Sequence, residues 1–162
     1  MDAIELLTSQ HRAMEALSRQ VLDAQEDVAR ASLFARAADD LTAHIASEEQ
    51  VFYPAVKARR TEDILLESLE EHLSLKRLVA DLLELAPSNQ TFQPKFKVLS
   101  EQMQHHHKEE EENLFPKVAK LMDAPQREEL GRQMQALQLQ LKAEGAPREA
   151  AANQTDAAAP LV

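Results

Sequence analysis

Cysteine is absent from the 162 residues. That excludes disulfides, thiolate nucleophiles, zinc–thiolate sites and iron–sulfur clusters. Glycine occurs twice, at Gly131 and Gly145. A β-rich fold needs turns, and turns draw on glycine far more often than that. Glycine-rich phosphate loops are excluded on the same ground. Positive charge is short: 18 Lys and Arg stand against 28 Asp and Glu, a net charge of −10. Such a chain repels phosphate backbones and anionic lipid, so neither nucleic acid nor a membrane surface is an expected partner. No apolar run approaches the ~20 residues of a membrane span. The opening Met1-Asp2-Ala3-Ile4-Glu5-Leu6-Leu7 has no basic segment and no long apolar segment of the secretory kind. The expectation is a soluble cytoplasmic protein with one domain large enough to bury a core.

What is present is helical periodicity nearly everywhere. The spacing predicts a first helix from Ala3 into the late twenties, opened by a capping box from Asp2 and Glu5. Its stripe reads Ile4, Leu7, His11, Met14, Leu17, Val21. A second helix is expected over Arg30 to Ala58, kinked at Pro54, with His44 and Glu48 in its stripe. Thr61 is positioned to cap a third helix ending near Leu85, with His72 among its leucines. After a break at Ala86-Pro87-Ser88-Asn89, a fourth helix runs from Thr91 to Met122 with His106 and Glu110 inward. Asp123-Ala124-Pro125 opens a fifth, to Glu144. Its seam, Leu130, Met134, Leu137 and Leu141, either packs on the bundle or joins two copies as a homodimer. Residues 145–162 are Ala- and Pro-rich and are expected to be disordered. The fold class is therefore all-α: an antiparallel up-down four-helix bundle over 1–122, an added helix over 123–144, then the tail.

An internal repeat organises the polar residues. His44 to Pro54 and His106 to Pro116 each carry His, Glu four and five residues later, an apolar pair and then Pro. The two histidines are 62 apart, and the lone stripe histidines His11 and His72 are 61 apart. Each half of the chain thus supplies one lone His and one His-x-x-x-Glu. Residues four apart share a helix face, so His44 with Glu48 and His106 with Glu110 point into the core. Buried unpaired carboxylates are costly, and bound cations would explain two of them among four imidazoles. Imidazole and carboxylate donors without thiolate suit iron or manganese, with zinc as a further option. A sensible assembly has His11 and His44 on one metal, His72 and His106 on another, and Glu48 and Glu110 as bridges. His105 falls on a flank with Gln102, Glu109 and Glu112, and His107 on one with Ser100, Gln104 and Glu111; both read as surface residues, with peripheral metal capture as the lesser reading. Glu49 and Glu111 point sideways, behind the ligands or toward solvent. Tyr53, the single tyrosine, reads as packing.

This pattern on four helices, with its two Glu-Glu tails ending at Pro54 and Pro116, resembles the hemerythrin-like, or HHE cation-binding, family. The resemblance covers about residues 1 to 122. It implies two iron ions, oxo- or hydroxo-bridged, held by His11, His44, Glu48, His72, His106 and Glu110. Oxygen-carrying members use a fifth His, four after the third-helix His, and an Asp five after the last His. Here those features are replaced by Lys76 and by Glu110 at a spacing of four. Fewer imidazoles leave an extra position for a small ligand. The resemblance therefore implies binding or sensing of O2, NO or iron rather than oxygen transport. The alternative is a diiron enzyme that breaks down hydrogen peroxide in a catalase-like reaction. A metal-free helical interaction module is the third reading, and it leaves two buried glutamates unexplained.

Overall fold

Every apolar stripe becomes a helix and no strand forms in the computed structural model, which describes residues 1–162. Helix α1 spans Ala3–Asp23. Its capping box is present: Asp2 accepts from the Glu5 amide and Glu5 accepts from the Asp2 amide, each at 3.0 Å. It stops before the late twenties, because α2 already begins at Asp27 and runs to Ser47. Helix α3 is Tyr53–Val56, α4 Glu62–Leu83, α5 Phe92–Glu109, α6 Phe115–Leu121 and α7 Ala124–Glu144. The bundle contacts run in a ring, α1 to α2 to α4 to α5 and back to α1. No helix is long and apolar enough to cross a membrane.

The expected kink at Pro54 takes a different form. A single wide π turn, Glu48–Phe52, precedes the proline, and its repeat partner Glu110–Leu114 precedes Pro116. Proline inside a helix lacks a donor and crowds the carbonyl one turn back. The wide turn accommodates both: the Tyr53 amide reaches Glu48 O, and the Phe115 amide reaches Glu110 O. Each wide turn begins at an inward glutamate, in keeping with the tendency of π turns to sit at functional sites.

Thr61 does not cap α4 with its side chain. Its hydroxyl donates to Val56 O at 2.8 Å and accepts from the Ala58 amide at 2.9 Å. It therefore ties the α3–α4 turn together, since its own backbone already follows the helical bend.

The core is two apolar clusters separated by a polar layer. One end gathers Val21, Phe34, Leu82, Phe92 and Phe96. The other gathers Leu7, Phe52, Leu65, Leu114 and Val118, together with Leu130 and Met134 of α7. Helix α7 thus packs against α1 and α2 of its own chain. Of the two readings of the seam, packing on its own bundle accounts for Leu130 and Met134, which are buried inside the protomer. The approach is close: a Cβ on Gly131 would lie 2.9 Å from Met1 O and 3.1 Å from Ala3 N.

Part of the tail expected to be disordered, residues 145–162, lies against the bundle. A 3-10 helix, Pro147–Asn153, lies against α2 and α4 with Ala151 buried. Arg148 bonds Asp39 through its backbone and side chain, at 3.0 and 2.8 Å. Arg77 donates to the carbonyls of Thr155 and Asp156.

Candidate metal centre

Between the two apolar clusters, α1, α2, α4 and α5 each aim one imidazole at the same point. His11, His44, His72 and His106 are all buried, as are Glu48 and Glu110. His11 Nε2 lies 3.3 Å from Glu110 Oε1, and His44 Nε2 lies 3.1 Å from Glu48 Oε1. His72 Nε2 is 2.9 Å from Glu48 Oε2 and 3.1 Å from His106 Nε2. His106 Nε2 is also 3.4 Å from Glu110 Oε1.

Each ring is fixed from behind through Nδ1. The partners are Glu111 for His11 at 2.8 Å, Gln10 for His44 at 2.8 Å, Glu49 for His72 at 3.0 Å and Glu71 for His106 at 3.1 Å. An acceptor at Nδ1 makes that nitrogen the donor and leaves the Nε2 lone pair facing inward, as in metal-binding histidines. Gln10 is in turn held by Gln138 of α7, whose amide donates to Ser47 Oγ at 2.9 Å. The fifth helix therefore reaches the ring of His44 through two amides.

Without a cation, protons stabilise this cluster. Burial works to raise Glu48, but the charge of His44 and the nearby imidazoles of His106 and His72 hold it well below the usual carboxylate range. Burial works to lower His11, but Glu110 and Glu48 raise it above the ordinary imidazole value. His72 and His106 are raised likewise, the first chiefly by hydrogen bonds to Glu48 and Glu49, the second chiefly by the charge of Glu110. Metal binding exchanges such protons for a cation. Among the six expected residues, two donor groups have their ligand atoms within 4.8 Å of one another: His11, His44, Glu48 and Glu110; and Glu48, His72 and His106. The inward atoms His11 Nε2, His44 Nε2, Glu48 Oε1 and Glu110 Oε1 have no hydrogen-bond partner. Nitrogen and carboxylate donors left bare in a dry core fit a metal cation.

Residues 2–118 match the family model for the hemerythrin HHE cation binding domain. The chain belongs to that family. A hemerythrin HHE cation binding domain-containing protein from Mycobacterium kansasii has the same fold, with a TM-score of 0.79 and 22% identity. The match covers 95% of this chain and 99% of that one. It thus extends past the family model and takes in α7. A DNA nickase from Nostoc sp. strain PCC 7120 is 23% identical over 136 residues, or 84% of this chain. The chain spans 39% of that relative's length.

Beyond the expected residues of this HHE domain, several side chains take places the sequence did not show. His107, read as a surface residue, is buried and lies flat on His11, with ring centroids 3.8 Å apart and planes 8° apart. Its flank of α5, which includes buried Ser100, faces α1 rather than water. A small residue seven positions before His107 was the one available signal. Burial, followed by the charges of His11, His44 and His106, drives its pKa far below the ordinary value, so the ring is neutral. His105 is exposed, as expected. Tyr53 packs in the core but also acts as a donor: its hydroxyl lies 2.8 Å from Glu110 Oε2, the nearer acceptor for its one proton, and 3.2 Å from Glu48 Oε2. At 3.6 residues per turn, residues five apart face different ways; the wide turn brings Tyr53 back to the side of Glu48. Lys76 is buried against Glu49 at 2.8 Å.

Proposed function

We propose that this HHE domain holds two iron ions and that the pair binds or senses a small ligand such as O2 or NO. The observation that carries the reading is the division of Glu48. One of its oxygens lies 3.1 Å from His44 Nε2 and the other 2.9 Å from His72 Nε2. A carboxylate that offers one oxygen to each half of a donor cluster is suited to bridge two cations. His11 and His44 would serve one ion and His72 and His106 the other, with Glu110 as the second bridge. Two irons, when bound, supply redox equivalents and a position for a small ligand. The chain's own part is to orient and to exclude water. Glu111, Gln10, Glu49 and Glu71 fix the four rings, and the Tyr53 hydroxyl stands between Glu110 and Glu48, its one proton nearer Glu110. Phe52, Leu114 and Phe115 wall off one side. A net charge of −10 disfavours DNA as a partner, so the nickase activity of the longer relative is not carried over.

The test is metal content per chain after growth in iron-sufficient medium. About two irons per chain is the expected result. No iron, or a single zinc, would overturn the reading. Because metal uptake displaces protons from His11, His72 and His106, the iron should be lost progressively as the medium is made acidic. Added peroxide separates sensing from catalysis: sustained O2 release that disappears in His72→Ala would mark an enzyme instead.

A further inference from the structure

His107 is the buried titratable group that the six expected ligands leave unexplained. It is 1% exposed, and neither ring nitrogen has a hydrogen-bond partner. Glu15 Oε1 is 3.9 Å from Nδ1, beyond hydrogen-bond reach. Buried polar atoms are nearly always paired, so two bare nitrogens on one ring need a reason. The other bare side-chain atoms are His11 Nε2, His44 Nε2, Glu48 Oε1, Glu110 Oε1 and, far off, Arg30 Nε. His11 Nε2, His44 Nε2 and Glu48 Oε1 stand on the His11/His44 side of the centre, and Glu110 Oε1 stands between His11 at 3.3 Å and His106 at 3.4 Å. His107 is on that side too. Its ring centroid is 5.7 Å from that of His44, and donor atoms of His11, His44 and His107 lie within 4.8 Å of one another.

We infer that His107 is a fifth imidazole donor, to the cation held by His11, His44 and the Oε1 oxygens of Glu48 and Glu110. The inference rests on the metal-binding reading above. The ring lies flat on His11, and binding would turn it out of that stack about the Cβ–Cγ bond, a soft torsion in histidine. The consequence is asymmetry. One side has three imidazoles, the other has His72 and His106 with the Tyr53 hydroxyl 3.3 Å from His72 Nε2. The three-imidazole side binds its ion more tightly, and the open position for a small ligand falls to the His72/His106 side.

A simple core histidine and a ligand make opposite predictions for His107→Phe, which keeps the stack on His11 and removes both nitrogens. The probe is Co2+ titrated into the metal-free full-length chain. Visible absorption reads the binding, and thermal unfolding is followed with and without metal. The metal-free variant is expected to melt no lower than wild type, since two unpaired buried nitrogens are gone. One Co2+ should bind at least about tenfold more weakly and the other as in wild type, with a smaller rise in Tm on metal addition. His107→Gln should weaken the same ion, and exposed His105→Ala should change nothing. Wild-type affinity for both ions in His107→Phe overturns the inference. So does a lower metal-free Tm with Co2+ binding intact. Uptake of a single Co2+ by wild type sinks the two-metal reading alone if His107→Phe weakens that ion; no uptake at all sinks both.

Discussion

Lys76 lies one turn beyond His72 on α4, and its ammonium is 2.8 Å from Glu49 Oε1. The other oxygen of Glu49 accepts from His72 Nδ1. Both charges are nearly dry, with side chains 6% and 9% exposed. Burial alone would raise Glu49, but His72 and Lys76 hold it below the ordinary carboxylate value, so Glu49 is ionised at neutral pH. Removing one member of a buried pair leaves an uncompensated charge, which costs about 3–5 kcal/mol. Lys76→Met should therefore lower stability by about 3 kcal/mol in urea unfolding of the metal-free chain, and Lys76→Met with Glu49→Gln should recover part of it. A loss under about 1 kcal/mol for the single variant would mean that water reaches Glu49. The same lysine stands where oxygen-carrying hemerythrins are expected to have their fifth His, so the chain uses that position to secure His72 from behind.

At the scale of elements, α1 and α7 are joined at their N-terminal ends. Asp2 caps α1 and also accepts from Arg127 of α7 at 3.1 Å. Burial pushes the Asp2 carboxyl up, but the Glu5 amide and the Arg127 guanidinium outweigh it, and its pKa lies below the usual value. A depressed carboxylate contributes stability above its unfolded pKa of about 3.9, and that contribution is lost as pH falls through the still lower folded value. Asp2→Ala should cost about 1 kcal/mol at pH 7. The gap from wild type should close below a pH of about 4, as read by denaturant midpoints across a pH series. A gap that persists at pH 2 would mean the carboxylate charge is not what holds the cap. The wide turns are the other device at this scale. They let two helices carry a proline while keeping Glu48 and Glu110 inward.

For the whole molecule, the question is how a segment so poor in large apolar groups stays attached. Ala151 joins the same apolar cluster as Phe34 and Phe92, and Arg148, Asp39 and Arg77 fasten it on either side. Residues Ala157 to Pro160 and Val162 line a cavity together with Glu49 and Lys76. Ending the chain at Gly145 should lower Tm by about 3–8 °C, corresponding to about 1–2 kcal/mol for a domain of this size. In the full chain, the amide of Gln154, bonded to Ala151 O, should exchange slowly with solvent. An unchanged Tm on truncation would show that the docked tail adds nothing.

The sequence by itself determined the helices, their inward faces and the six-residue donor pattern, because helical spacing is local. His44 with Glu48 and His106 with Glu110 must share a face whatever the bundle does. The repeat of 62 residues then implied that the two halves meet as equivalents. Only the tertiary structure decided which neighbours join them. His105 and His107 straddle His106, and whether either is wet depends on how α5 lies against α1. Glu71, Gln10 and Gln138 reach the rings of His106 and His44 from other helices, at separations no local pattern records. The docked tail was illegible for a related reason. Alanine buries too little area to announce a contact by composition, and its place was fixed by the shape of the groove between α2 and α4.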